Sequence, residues 1–167
     1  TIDCDYATIK DLELDRNDLE GSVPECLLNS ASLSTLDLGH NRLDGPLPRV
    51  TQPHTRLLTL RLPQAGLSGS LEDLANLTNL RSLDLSRNFL TGTLDESLLQ
   101  RWTWLMDLDL SWNYLEGPIP DLPSIYLKKV DLGHHAFSGE LLTQFETFAK
   151  NQRHGEATWL HLDSNSF

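Results

Sequence analysis

The sequence predicts a single α/β solenoid of about seven coils, wound as a right-handed superhelix with a parallel sheet on its concave face. Three observations carry that expectation. A Leu-x-Leu pair returns at near-constant spacing, an Asn follows it by three residues in most copies, and a Gly-x-apolar-Pro signature lies beyond it.

The repeat is read directly by laying the sequence on itself. Ile9-x-x-Leu12-x-Leu14-x-x-Asn17-x-Leu19 recurs as Leu33-x-x-Leu36-x-Leu38-x-x-Asn41-x-Leu43. It returns at Leu57, Leu60, Leu62 and Leu67, then at Leu80, Leu83, Leu85, Asn88 and Leu90. Leu105, Leu108, Leu110, Asn113 and Leu115 form a fifth copy, and Leu127, Val130, Leu132 and Phe137 a sixth. A seventh holds Leu160, Leu162, Asn165 and Phe167. Successive strands are therefore offset by 24, 24, 23, 25, 22 and 30 residues (Leu12, Leu36, Leu60, Leu83, Leu108, Val130, Leu160). The alternation of Leu-x-Leu is that of a short strand with one face buried. One coil cannot bury that face alone, whereas stacked coils share a continuous core. The Asn suits the turn after the strand, because its amide can both donate to and accept from backbone groups that no sheet ladder reaches.

Beyond the Asn come Leu19-x-Gly21-x-Val23-Pro24, Leu43-x-Gly45-x-Leu47-Pro48 and Leu115-x-Gly117-x-Ile119-Pro120. Gly opens backbone angles closed to other residues, and Pro ends pairing. Together these motifs resemble the plant-type leucine-rich repeat, LxxLxxLxLxxNxLxGxIP, found in receptor-kinase ectodomains, receptor-like proteins and polygalacturonase-inhibiting proteins. The resemblance spans essentially the whole chain and implies a fold that serves recognition, without naming a ligand.

Several positions depart from the pattern. Ala65 and His135 stand where Asn belongs, and Glu72 and Asp95 replace the Pro. Pro120-Asp121-Leu122-Pro123 is too proline-rich for a helix. Leu141, Leu142, Phe145, Phe148 and Ala149 recur at helical spacing, which predicts a helix from about Leu141 to Asn151 within an irregular insertion over 141–156. The resemblance also implies that residues 1–8 are a remnant of an N-terminal cap and that both caps are incomplete. It makes Cys4 the second member of a cap disulfide whose partner lies upstream of Thr1, with Cys26 single on the return segment. A Cys4–Cys26 bridge is the alternative.

Composition narrows the function. A net charge of −11 disfavours nucleic acid and anionic membrane surfaces, which reward clustered Lys and Arg. No apolar run nears the roughly 20 residues that span a bilayer. The sequence carries no phosphate-binding or dinucleotide glycine motif, no GxSxG, no HExxH and no CxxC, so no catalytic residue, metal or cofactor is expected. The expectation is a non-catalytic protein–protein interaction module, a recognition or structural subunit of a larger assembly. The alternative is an extracellular receptor ectodomain or an enzyme inhibitor of the plant-defence type. An extracellular or cell-surface location is expected, with an organelle lumen as the alternative.

The candidate partner surface follows from the repeat. The residue between the strand leucines runs Glu13, Asp37, Arg61, Asp84, Asp109, Asp131, His161. Parallel strands lie about 4.8 Å apart, so Asp84, Asp109 and Asp131 form an acidic ladder that invites a basic protein partner. Flanking Arg87 and Lys129 could instead neutralise it. A second column holds Arg16, His40, Gln64, Arg87, Trp112, His134 and Ser164, where Trp112 reads equally as a contact or as a lid over its neighbours. Trp159 is expected on the same face, and at least one of Trp102 and Trp104 in the core. Asn76-Leu77-Thr78 is a glycosylation sequon, although Asn-Leu-Thr also serves packing in this kind of repeat.

Overall fold

The computed structural model describes residues 8–52, 56–122, 126–140 and 159–167. Seven short strands, Asp11–Glu13, Thr35–Asp37, Thr59–Arg61, Ser82–Asp84, Asp107–Asp109, Lys129–Asp131 and Trp159–His161, form one parallel sheet in strict chain order. They number coils 1 to 7. Each strand pairs in register with the next, so that Leu12, Leu36, Leu60, Leu83, Leu108, Val130 and Leu160 form one row across the sheet. The solenoid read from the repeat is the observed fold.

A second, lateral sheet follows the turn. Ser68–Gly69, Phe89–Thr93, Tyr114–Gly117 and Ala136–Phe137 pair in parallel, and Glu20–Gly21 pairs with Arg42–Leu43. The return segments carry single turns of helix: Glu25–Leu28, a 3-10 turn at Leu71–Leu74, and Glu96–Arg101. The two positions that lack Pro explain themselves here. Ser70 accepts a hydrogen bond from the Glu72 N–H at 3.3 Å, and Asp95 from the Ser97 N–H at 3.1 Å. A hydroxyl or carboxylate thus caps a helical turn where proline elsewhere ends the strand.

The core is a stack of leucines from Val23 to Phe137. Leu36, Leu60, Leu83, Leu108 and Val130 are buried, while Leu12, Leu14, Leu160 and Leu162 in the outer coils are only partly buried. That gradient is what nearest-neighbour stacking produces. Trp102, at the end of the Glu96–Arg101 turn, is fully buried, whereas Trp104 is exposed and stacks on Tyr126.

An asparagine ladder joins the coils. The Asn41 amide donates to Leu14 O and Leu38 O, each at 2.9 Å, and its Oδ1 accepts from Leu19 N–H at 3.0 Å. Asn88, Asn113 and Asn165 repeat the arrangement. Each amide therefore bridges a carbonyl of its own coil and one of the coil before. This explains why Ala65 and His135 are tolerated: Leu62 O is reached by Asn88 at 2.7 Å, and Leu132 O by Asn165 at 2.8 Å.

Cys26 is disulfide-bonded. The chain has only one other cysteine, Cys4, which lies outside the described residues. The expectation that Cys26 is single is thereby corrected. The cap remnant at 1–7, the helix expected over 141–151 and most of the insertion over 141–156 also lie outside the described residues.

The concave face as candidate recognition surface

The expected central column is assembled as read: Glu13 pairs with Asp37, Asp37 with Arg61, Arg61 with Asp84, Asp84 with Asp109, Asp109 with Asp131, and Asp131 with His161. A groove of about 440 Å³ runs over coils 3 to 7 and brings together Arg61, Asp84, Asp109, Asp131, Trp159 and His161. Asp37, Trp112 and His134 lie outside its lining.

The carboxylates have a structural duty that the sequence alone did not disclose. Asp84 Oδ1 accepts from the Ser86 N–H at 3.0 Å and the Ser86 hydroxyl at 2.7 Å, and Asp109 Oδ1 accepts from the same two groups of Ser111 at the same distances. Asp37 and Asp131 accept from the N–H of Gly39 and Gly133, both at 3.0 Å. Each Asp thus fixes the turn two residues on. One oxygen shapes the fold, and the side chain is held in a single orientation.

Neutralisation by the expected cations does not occur. Arg87 lies 5.0 Å over the Trp112 ring instead, and among the described residues Lys129 makes no ion pair with the column. Adjacent carboxylates at strand spacing repel by about 1 kcal/mol in water, and more near protein. The Asp109 pKa is accordingly raised, first by burial and then by the Asp84 and Asp131 charges, against hydrogen bonds from Ser111 that lower it. At the far end Asp131 Oδ2 meets His161 Nδ1 at 3.3 Å, and Trp159, 58% exposed, leans on His161 with ring centroids 5.7 Å apart.

The second column lies along the rim, and its backbone is unusual. Arg16, His40, Gln64, Arg87, Trp112, His134 and Ser164 all adopt φ between 49° and 59°. For an L-residue this left-handed conformation costs roughly 1–2 kcal/mol. The geometry aims each N–H at the next coil, as in Trp112 N to Gly133 O at 3.0 Å and His134 N to Asp163 O at 2.9 Å. On this rim Trp112 is a lid as well as a surface. It is stacked between Arg87 and His134, whose ring centroid is 3.7 Å away, yet remains 47% exposed. His134 Nε2 continues the chain to Asp163 Oδ2 at 3.2 Å.

The sequon asparagine is engaged in packing: the Asn76 amide donates to Val50 O of the preceding coil at 2.8 Å. No helix among the described residues is long and apolar enough to cross a membrane, and no group of three or more His, Cys, Asp or Glu among them could hold a metal ion.

The Leucine Rich Repeat family model matches residues 32–52, 79–100 and 104–124, which are coils 2, 4 and 5 with their turns. The fold is that of a leucine-rich-repeat solenoid. Of its relatives, the receptor-like protein CLAVATA2 of Arabidopsis thaliana is 38% identical over 68 residues, covering 40% of this chain and 9% of CLAVATA2. The crystal structure of PEPR1–AtPEP1 superposes with a TM-score of 0.83 at 28% identity, over 97% of this chain and 22% of that one. A plant ice-binding protein superposes with a TM-score of 0.75 at 25% identity, over 94% of this chain and 57% of that one. This leucine-rich-repeat chain thus spans a small part of the receptor proteins it resembles.

Proposed function

We propose that the concave face is a non-catalytic docking surface for a protein partner whose contacting segment is basic. The observation that carries this reading is the Asp84–Asp109–Asp131 column, whose carboxylates are oriented by their own turns and, among the described residues, make no ion pair with Lys or Arg, with Trp159 at its edge. A ready-oriented charge row lowers the ordering cost of binding, and an exposed tryptophan is the residue type that most often anchors an interface. Similarity to PEPR1–AtPEP1 and to CLAVATA2 supports a recognition role. The ice-binding neighbour shows why fold alone could not carry it.

The same resemblances favour an extracellular receptor ectodomain, or an inhibitor, as the larger context. The disulfide of Cys26 supports a secretory location, because such bonds persist in oxidising compartments. A subunit of an assembly in an organelle lumen is the second reading, compatible with the same bond.

The test is a charge removal that keeps each turn's Oδ1 acceptor. Asp109→Asn with Asp131→Asn is expected to weaken binding of a lysine- and arginine-rich test peptide at least tenfold, while circular dichroism stays unchanged. The wild-type affinity should also fall with added salt. Equal affinity of both proteins for the peptide would remove the acidic column from the reading.

A further inference from the structure

Three histidines, His134, His135 and His161, lie in coils 6 and 7. His135 occupies the ladder position on the lateral side. Its Nδ1 accepts the Leu115 N–H at 3.3 Å, so this nitrogen must carry a lone pair, and its buried Nε2 makes no hydrogen bond. Beside it the lateral strands Tyr114–Gly117 and Ala136–Phe137 meet through only two paired positions, plus Ser138 N to Gly117 O at 2.9 Å. His134 and His161 lie on the concave and rim side. There the Trp112–His134 stack, the His134–Asp163 contact at 3.2 Å and the His161–Asp131 contact at 3.3 Å tie coils 5, 6 and 7 together.

We propose that the junction between coils 5 and 6 is a proton-driven hinge: acid turns His135 from acceptor to donor and releases the lateral face, while the concave side stays joined. A proton on His135 Nδ1 sets N–H against N–H at Leu115. The concave strands are joined by backbone hydrogen bonds, such as Leu110 N to Asp131 O at 3.0 Å and Leu132 N to His161 O at 2.9 Å, which no side-chain proton removes. The coils then tilt about the concave sheet rather than separate.

The electrostatic surroundings agree in direction. Burial lowers the His135 pKa to about 4, against the Leu110 and Asn113 carbonyls and the Asp131 charge, which raise it; the neighbouring His134 lowers it further. Tyr114 and Glu116 on the paired lateral strand, Asp109 in coil 5, and His161 and Asp163 in coil 7 are the other titratable groups on elements packed against this coil. Because the folded value lies below the unfolded 6.5, the lateral contact is intact above pH 6.5 and is lost as pH falls from 6.5 through about 4.

Hydrogen exchange on the 167-residue protein tests this directly. Between pH 6.5 and pH 4, the protection factors of the Leu115 and Ser138 amides are expected to fall at least tenfold, while those of Leu110, Trp112 and Leu132 hold. His135→Asn, which restores the ladder residue of the other coils, should abolish the lateral loss. Equal loss on both faces, or a wild-type loss that persists in His135→Asn, would overturn the hinge. If that variant fails to fold, NMR titration of the His135 ring in the wild-type protein decides: coupling of its titration to the Leu115 amide supports the proposal, and an uncoupled titration overturns it.

Discussion

Trp102→Ala is expected to lower the unfolding free energy by about 4 kcal/mol, the largest loss from any single truncation among the described residues. The side chain is fully buried where the return segment of coil 4 turns into coil 5. Its backbone is committed on both sides, donating from N–H to Leu99 O at 3.2 Å and accepting from Leu105 N–H at 3.1 Å. The space left by an indole therefore cannot close by moving the chain. Trp102→Phe should cost much less, because the indole N–H is buried without a hydrogen-bond partner, and phenylalanine removes that unsatisfied donor. Urea titrations of the three proteins check both statements. A cost for Trp102→Ala below about 1 kcal/mol would show that the pocket collapses or admits water.

Asn113→Ala is expected to cost about 3 kcal/mol, although it deletes only an amide. The Asn113 amide donates to Leu85 O at 2.9 Å and Leu110 O at 2.8 Å, and Oδ1 accepts from Leu90 N–H at 3.0 Å. Leu85 O keeps a second donor in Asn88. Leu110 O has no such reserve, because the next ladder position is His135, which supplies an acceptor but no amide. Two buried backbone groups, Leu110 O and Leu90 N–H, are thus stranded together. The check is the same titration on Asn17→Ala, where the amide is exposed and bonds only Leu14 O and Asp15 O of its own coil. That change should cost well under 1 kcal/mol, and equal costs at both positions would refute the ladder argument.

The comparison of these two asparagines also shows what could be read from sequence. Leu-x-Leu at a fixed interval specifies the strand, its buried face and its register, because each depends only on spacing along the chain. The pairing of Asp109 with Asp131 was legible for that reason. The fate of Arg87 was not, since it turned on whether a guanidinium preferred a carboxylate or an aromatic face one coil away. The Asp-x-Ser and Asp-x-Gly spacing did hold a signal for the turn-forming role of the acidic column, but the spacing cannot distinguish a carboxylate that shapes its own turn from one that only awaits a partner. The bond at Cys26 was not legible either, because repeat spacing carries no information on which sulfurs come within bonding distance.

The left-handed rim sets a rule for how this surface could vary. Because Arg16, His40, Gln64, Arg87, Trp112, His134 and Ser164 share one backbone conformation, their side chains leave the fold at a common angle and touch the core little. Valine, isoleucine and threonine are the residues that this conformation penalises most, since their branched carbons crowd the carbonyl. Proline is excluded, because its ring fixes φ near −65° and it lacks the N–H that reaches the next coil, and the remaining residues share the same left-handed cost. The rim is therefore a keyboard of seven keys with a restricted set of letters, on which charge, ring and amide can be exchanged without retuning the instrument beneath.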